Sequence, residues 1–133
     1  MFPVTRKILE SADYLKMVAI RSAGYDGTDL KAATEKKVLV THNPGSNANS
    51  VADMAVGLML PVSKQISKKD REMRKGLYRR SGGEDLSHKT VGIIGLGNIG
   101  KLVARKLQGF EVKIIANNIV DYPEFKSHCN IPY

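Results

Sequence analysis

An α/β fold with parallel strands is what this sequence predicts, and three observations carry that prediction. The stretch Lys89–Asn118 reads as strand, tight turn, helix, strand. The first forty or so residues alternate strand, helix, strand in the same way. Between them, His42-Asn43-Pro44-Gly45-Ser46-Asn47 is a turn-rich break. Strands alternating with helical segments argue for parallel sheets, because a parallel pair needs a crossover between its strands.

In chain order, Thr5–Ala12 is a short helical segment and Leu15–Ile20 a strand. Arg21–Gly27 is a loop, in which Gly24 and Gly27 are expected to permit unusual backbone angles. Thr28 or Asp29 is placed to cap a helix reaching Lys36 or Lys37, with Leu30, Ala32 and Ala33 inside it, and Val38–Thr41 is the next strand. After the break, Ser50 is expected as an N-cap with Asp53 near the helix start. Val51, Met54, Ala55, Leu58, Met59, Val62 and Ile66 keep a helical period, so one helix is expected to continue to Met73 or Lys75, kinked at Pro61. Met54, Met59 and Met73 follow that period and read as packing residues. Leu77–Leu86 is a polar connector.

The last segment carries the chemistry. Val91, Ile93 and Ile94 form an apolar run broken only by Gly92, which suits a strand buried on both faces. Gly95, Gly97 and Gly100 complete a G-x-G-x-x-G. The first glycine allows a sharp turn, the second lets a pyrophosphate approach the backbone, and the third lets helix and sheet pack closely. A helix N-terminus then offers free N–H groups to the phosphates. Ile99, Leu102, Val103 and Leu107 give that helix an apolar side, and Val112, Ile114 and Ile115 make the strand after it. The motif alone is weak, and a glycine-rich turn that binds nothing is the alternative; its position between a strand and a helix argues for a dinucleotide.

Composition narrows the classes. At 133 residues the chain holds one ordinary domain or two partial ones, and 42% apolar residues suffice for a core. It has no apolar run long enough to span a membrane and no signal-peptide pattern in Met1–Glu10. A single cysteine, Cys129, makes a reducing, cytoplasmic setting the default, and neither it nor His128 belongs to a zinc-ligand cluster. The net charge of +8 is concentrated in Lys64–Arg80, where eight basic residues face two acidic ones. A basic stripe can bind nucleic acid, but only Tyr78 is interleaved with it and no nucleic-acid motif is present, so a solvated helix face is the preferred reading.

Four blocks in this order resemble the D-2-hydroxyacid dehydrogenases: RSAGYDGTDLKAATEKKVLVT (21–41), NPGSNANSVADMAVGLML (43–60), DLSHKTVGIIGLGNIGKLVARKLQGF (85–110) and VKIIANN (112–118). The resemblance spans nearly the whole chain. It implies two α/β domains, a flavodoxin-like substrate domain interrupted by a Rossmann-like dinucleotide domain, both incomplete here. Residues 1–46 correspond to part of the substrate domain, 47–84 to an interdomain and dimerisation helix with its connector, and 85–133 to the first half of the nucleotide domain. It further implies hydride transfer between NAD(P) and a 2-hydroxyacid/2-oxoacid pair, in a homodimer.

By the same resemblance, Ser22, Ala23 and Gly24 match the loop whose N–H groups face the substrate carboxylate, with Ala23 also touching the nicotinamide side. Asn98 and Ile99 match the pair that meets the pyrophosphate beside Gly95, Gly97 and Gly100, and Val51 matches an apolar position near the nicotinamide. Two positions depart from the family. Asn118 stands where an aspartate usually binds the adenosine ribose, and as a neutral amide it does not repel a 2′-phosphate. NAD is favoured, with NADP not excluded. Glu111 stands where a glycine is common and is expected to strain the turn into the next strand.

Family members are more than twice this length. Their catalytic arginine, glutamate and histidine follow the point where this sequence ends, and their first strands precede Met1. His42, His88 and His128 lie outside the family's catalytic-histidine motif, so no residue is assigned as general base. The expectation is a chain that keeps loop and turn but lacks catalysis, with sheet edges covered by oligomerisation or by a longer chain. A non-catalytic dinucleotide-binding or dimerisation module and a basic nucleic-acid-binding protein remain the alternatives.

Overall fold

The structure, a computed structural model, describes residues 2–80, 82–129 and 131. It divides into two compact units, Met1–Asn47 and Ala48–Tyr133.

The first unit contains α1 (Arg6–Glu10), β1 (Met17–Ala19), α2 (Leu30–Glu35) and β2 (Leu39–Thr41). β1 and β2 pair in parallel, Met17 opposite Leu39 and Ala19 opposite Thr41. Both strands are shorter than their apolar runs suggested. The α2 helix starts where Asp29 accepts the N–H of Ala32 at 2.8 Å, which is the expected cap. Its small buried face, Ala32 and Ala33, packs with Leu9 and Val38 into a separate core. Neither Gly24 nor Gly27 takes a positive φ, contrary to expectation. A Cβ at Gly24 would lie 3.2 Å from Asp26 Oδ2, the end of an exposed side chain that can move aside.

The second unit contains α3 (Ala48–Ser63), α4 (Ile66–Arg74), β3 (Thr90–Ile94), α5 (Asn98–Leu107), the 3₁₀ turn Gln108–Phe110, β4 (Lys113–Asn117) and α6 (Pro123–His128). The single long helix expected from residue 50 is two helices. It begins at Ala48, which is 4% exposed, so Ser50 lies inside the first turn rather than capping it. Pro61 is accommodated in the last turn, and the chain breaks just after it: Lys64 N–H reaches Leu60 O at 2.9 Å and Gln65 turns left-handed at φ 53°. Met59 packs on the core, whereas Met54 and Met73 are exposed. The helix α6 was not legible in the sequence; Pro123 at its first turn is its clearest signal.

β3 and β4 pair in parallel, Val91 opposite Ile114 and Ile93 opposite Ala116. Those four face the core with Leu96, Val103, Ala104 and Leu107. β3 is not buried on both faces as its apolar run suggested: Ile94 is 94% exposed, and Ile115 opposite Gly92 is also open. The helices α3 and α5 pack together on the covered face. Lys106 reaches Asp53 across them at 2.7 Å. The apolar side of α5 is centred on Gly100, Val103, Ala104 and Leu107, one residue round from the expected stripe, which leaves Ile99 exposed. Glu111 ends the 3₁₀ turn at φ 54°, ψ 33°, in the left-handed region, where a side chain is strained, in keeping with the strain expected at this turn. Among the described residues no helix is long and apolar enough to cross a membrane.

Candidate functional site

Two backbone sites lie at the carboxyl ends of parallel strands, one in each unit. In open α/β sheets this is where ligands bind.

In the first unit, Ile20 N–H donates to Thr41 O at 2.8 Å, so the loops leaving β1 and β2 start side by side. The loop Ser22-Ala23-Gly24 is then fixed through its carbonyls. Asn43 N–H donates to Ser22 O at 3.1 Å. His42 Nδ1 donates to Ala23 O at 2.8 Å; a carbonyl only accepts, so Nδ1 carries the proton. Ser22 Oγ donates to Gly24 O at 3.0 Å. A trans peptide is planar, with its C=O and N–H pointing opposite ways. Anchoring three successive carbonyls therefore turns the N–H groups of Ala23, Gly24 and Tyr25 away from the anchors, and among the described residues none of the three donates to a neighbour. A cavity of about 380 Å³ is lined by Arg21, Ser22, Ala23, Asn43, Ser46 and Asn47. A slightly larger one, about 440 Å³, lies beside β1 among mainly apolar side chains such as Phe2, Val4 and Val18. The loop therefore has free N–H donors and one nearby cation, which is the chemistry of an anion site. Asp26 opposes it, its carboxylate lying beside Gly24.

In the second unit, Gly95 turns the chain out of β3 at φ +96°, and its N–H donates to Asn117 O at 2.8 Å. A Cβ on Gly100 would lie 2.0 Å from Gly95 O, so the close approach of helix to turn requires glycine there. Gly97 differs: its φ is −73°, and a Cβ would meet nothing within 4 Å. No protein group demands a glycine at 97, so the open space before it is free for a ligand. Gly97 is also the N-cap of α5, and no side chain caps the helix, which leaves first-turn N–H groups available. The absence of acidic residues in that turn leaves its positive dipole end unopposed.

Asn118 follows β4 and closes this turn. Its Oδ1 accepts Leu96 N–H at 3.0 Å and its Nδ2 donates to Val120 O at 2.7 Å. The amide is thus held in one orientation, with a second lone pair on Oδ1 remaining for a hydroxyl. Beyond it, Lys126 pairs with Asp121 at 2.7 Å, which holds the Asp121 carboxyl below its usual range. Lys101 Nζ sits 3.2 Å from the Tyr122 ring centroid.

The structure brings Gly95, Gly97, Asn98, Ile99, Gly100 and Asn118 together at one turn. Val51 is on α3 of the same unit, 37% exposed. Ser22, Ala23 and Gly24 form their own loop in the first unit. Sequence reasoning missed His42 and Asn43, the groups that hold that loop; their place directly after β2 was the available signal. In the basic segment, Arg74 pairs with Asp70 at 2.9 Å and Lys64 with Asp85. That pairing, through its hydrogen bond first, lowers the Asp85 carboxyl. Among the described residues no cluster of three His, Cys, Asp or Glu could hold a metal ion.

Comparison with known proteins gives a consistent picture. Residues 1–128 match the family model described as D-isomer specific 2-hydroxyacid dehydrogenase, catalytic domain. The chain is 41% identical over 115 residues to D-3-phosphoglycerate dehydrogenase of Mycobacterium leprae, covering 85% of this chain and 22% of that protein. It is 39% identical over 131 residues to hydroxypyruvate reductase of Thermotoga maritima, covering 97% and 41%. Among solved structures, NAD-dependent formate dehydrogenase from Staphylococcus aureus in complex with NAD superposes with a TM-score of 0.81 at 34% identity, covering 89% of this chain and 37% of that one. The chain thus spans less than half the length of these relatives.

Proposed function

Because this chain belongs to the D-isomer specific 2-hydroxyacid dehydrogenase family, we propose that it forms the carboxylate loop and the dinucleotide turn of an oxidoreductase. That enzyme would interconvert a 2-hydroxyacid and a 2-oxoacid by hydride transfer with NAD(P). The observation that carries the proposal is Gly97: a glycine with no steric neighbour and no positive φ, at an uncapped helix N-terminus.

The residues present suit the cofactor. Gly97, Asn98, Ile99 and Gly100 would hold the pyrophosphate on backbone N–H groups, Gly95 would set the turn, and Asn118 would take the ribose hydroxyls. When bound, the nicotinamide supplies or accepts the hydride. Ser22, Ala23 and Gly24 would bind the substrate carboxylate, with Ala23 and Val51 toward the nicotinamide. NAD is preferred to NADP, because no arginine follows Asn118 and the next cation along the chain before His128, Lys126, is already paired with Asp121. On this reading residues 1–46 belong to the substrate domain, 47–84 to the interdomain helix and its connector, and 85–133 to the nucleotide domain. The acid–base group would come from elsewhere in a longer protein.

A homodimer is part of the same proposal. Met54, Leu58 and Val62 recur every four residues on α3 and are 63%, 58% and 78% exposed. A stripe of that kind is more readily explained by a partner helix than by water. Titration of the purified chain with NADH, NADPH and a 2-oxoacid tests the proposal. Saturable NADH binding supports it, and absence of binding to either dinucleotide refutes it.

A further inference from the structure

We propose that His42 is a positioning residue for substrate binding: its Nδ1–H sets the orientation of the Ala23–Gly24 peptide and so aims the Gly24 N–H at the substrate carboxylate. This rests on the carboxylate reading of the Ser22–Gly24 loop.

The argument is geometric. Of the three carbonyls that fix the loop, one is held by a backbone N–H of Asn43 and one by Ser22 within the loop. The middle one, Ala23 O, is held by a side chain from the other strand's exit. Rotating a peptide plane needs only coupled changes in ψ and φ on either side, which glycine at 24 makes easy. Without a donor at Ala23 O, that plane can turn and carry the Gly24 N–H out of the donor set. Ordering it again on binding would weaken affinity. His42 is itself steadied by Tyr25, whose ring meets the imidazole edge-on with centroids 4.9 Å apart and planes at 71°. Tyr25 thus supports the imidazole that holds the Ala23–Gly24 peptide at its carbonyl.

The test uses the ¹⁵N-labelled chain and oxamate, a 2-oxoacid isostere that does not hydrate. His42→Asn keeps a donor close to the position of Nδ1, and His42→Leu removes it. In the wild type and His42→Asn, the Ala23, Gly24 and Tyr25 amides shift on titration, with dissociation constants within about threefold of each other. In His42→Leu binding weakens about tenfold, with an unchanged melting temperature because the side chain is exposed. Without ligand, the imidazole ¹⁵N shifts report a proton on Nδ1. Oxamate binding by His42→Leu equal to wild type, equal weakening in both variants, or a ring protonated only on Nε2 would each overturn the role of His42. A wild-type chain whose three loop amides ignore oxamate would overturn the carboxylate reading itself, and the positioning role with it.

Discussion

Gly97→Ala separates binding from folding at the dinucleotide turn. The backbone at 97, φ −73° and ψ −163°, is open to alanine. Replacing glycine there gains about 0.4–1 kcal/mol by restricting the unfolded chain. Alanine is a poorer N-cap than glycine, by an amount of similar size, about 0.5–1 kcal/mol. The two nearly cancel, and the melting temperature should move by no more than about 2–3 °C. For the ligand the change is one-sided. The new methyl points into the space that is empty to 4 Å, where the pyrophosphate must come within hydrogen-bond distance of the backbone. Displacing it forfeits two charge-assisted hydrogen bonds at about 1.5–3 kcal/mol each, a loss of at least about a hundredfold in affinity. Tryptophan is absent from the chain, so NADH's own fluorescence reports binding without interference. Gly100→Ala is the contrast. Its methyl would collide with Gly95 O at 2.0 Å, so it should lower stability itself by about 1–3 kcal/mol or more. NADH binding by Gly97→Ala within threefold of wild type would refute the assignment of that space to a pyrophosphate.

Glu111→Gly should raise the urea midpoint: it relieves a left-handed glutamate, and the net gain after the entropy of glycine is about 0.5–1 kcal/mol. A lower midpoint would show that the glutamate side chain contributes something the geometry does not reveal. Asn118→Asp keeps an acceptor for Leu96 N–H and adds a charge that repels a 2′-phosphate, so the preference for NADH over NADPH should grow at least about tenfold; parallel titrations with an unchanged ratio would contradict it. Burial pushes the Cys129 thiol above its ordinary value. The folded state therefore disfavours the thiolate, and stability that is complete below the ordinary thiol range, about pH 8.5, is lost as pH rises through the higher folded value. Alkylation by iodoacetamide at pH 8 should accordingly be far slower in the folded chain than in urea, and equal rates would place Cys129 at the surface.

Local signals were the legible part of the sequence. The α2 cap at Asp29 and the order strand–turn–helix–strand around Gly95–Gly100 depend on residues within a few positions of each other, whereas the strain at Glu111 was legible only through the resemblance to a family with glycine there. What the sequence did not reveal depends on distant groups or on what covers an element. Ile93 and Ile94 are identical in type, yet one is buried and the other 94% exposed, because only one face of the β3–β4 pair is covered. Pro61 marked a disturbance in the helix but not its place, since a proline in the last turn loses its bond to Gly57 without stopping the chain until Gln65 turns left-handed. In the first candidate site, Ser22 to Gly24 were readable as a motif, whereas His42 acts across nineteen residues and carries no local signature.

The two candidate sites use the same physics. Neither has a buried charge, and among the described residues no polar or charged side chain is buried at all. Each instead presents backbone N–H groups whose direction is set by hydrogen bonds behind them: His42, Asn43 and Ser22 behind one loop, Asn117 and Asn118 behind the other. A dipole held in place by the fold costs little to desolvate, whereas an isolated buried arginine or lysine would cost several kcal/mol before it met its ligand. Such sites select by where the donors point rather than by net charge. On the proposed reading, a phosphate-sized or carboxylate-sized anion would be accepted only if its oxygens fell on those few directions. Groups behind the donors would then shape affinity alongside those in front, and His42 and Asn43 would do so without touching a ligand.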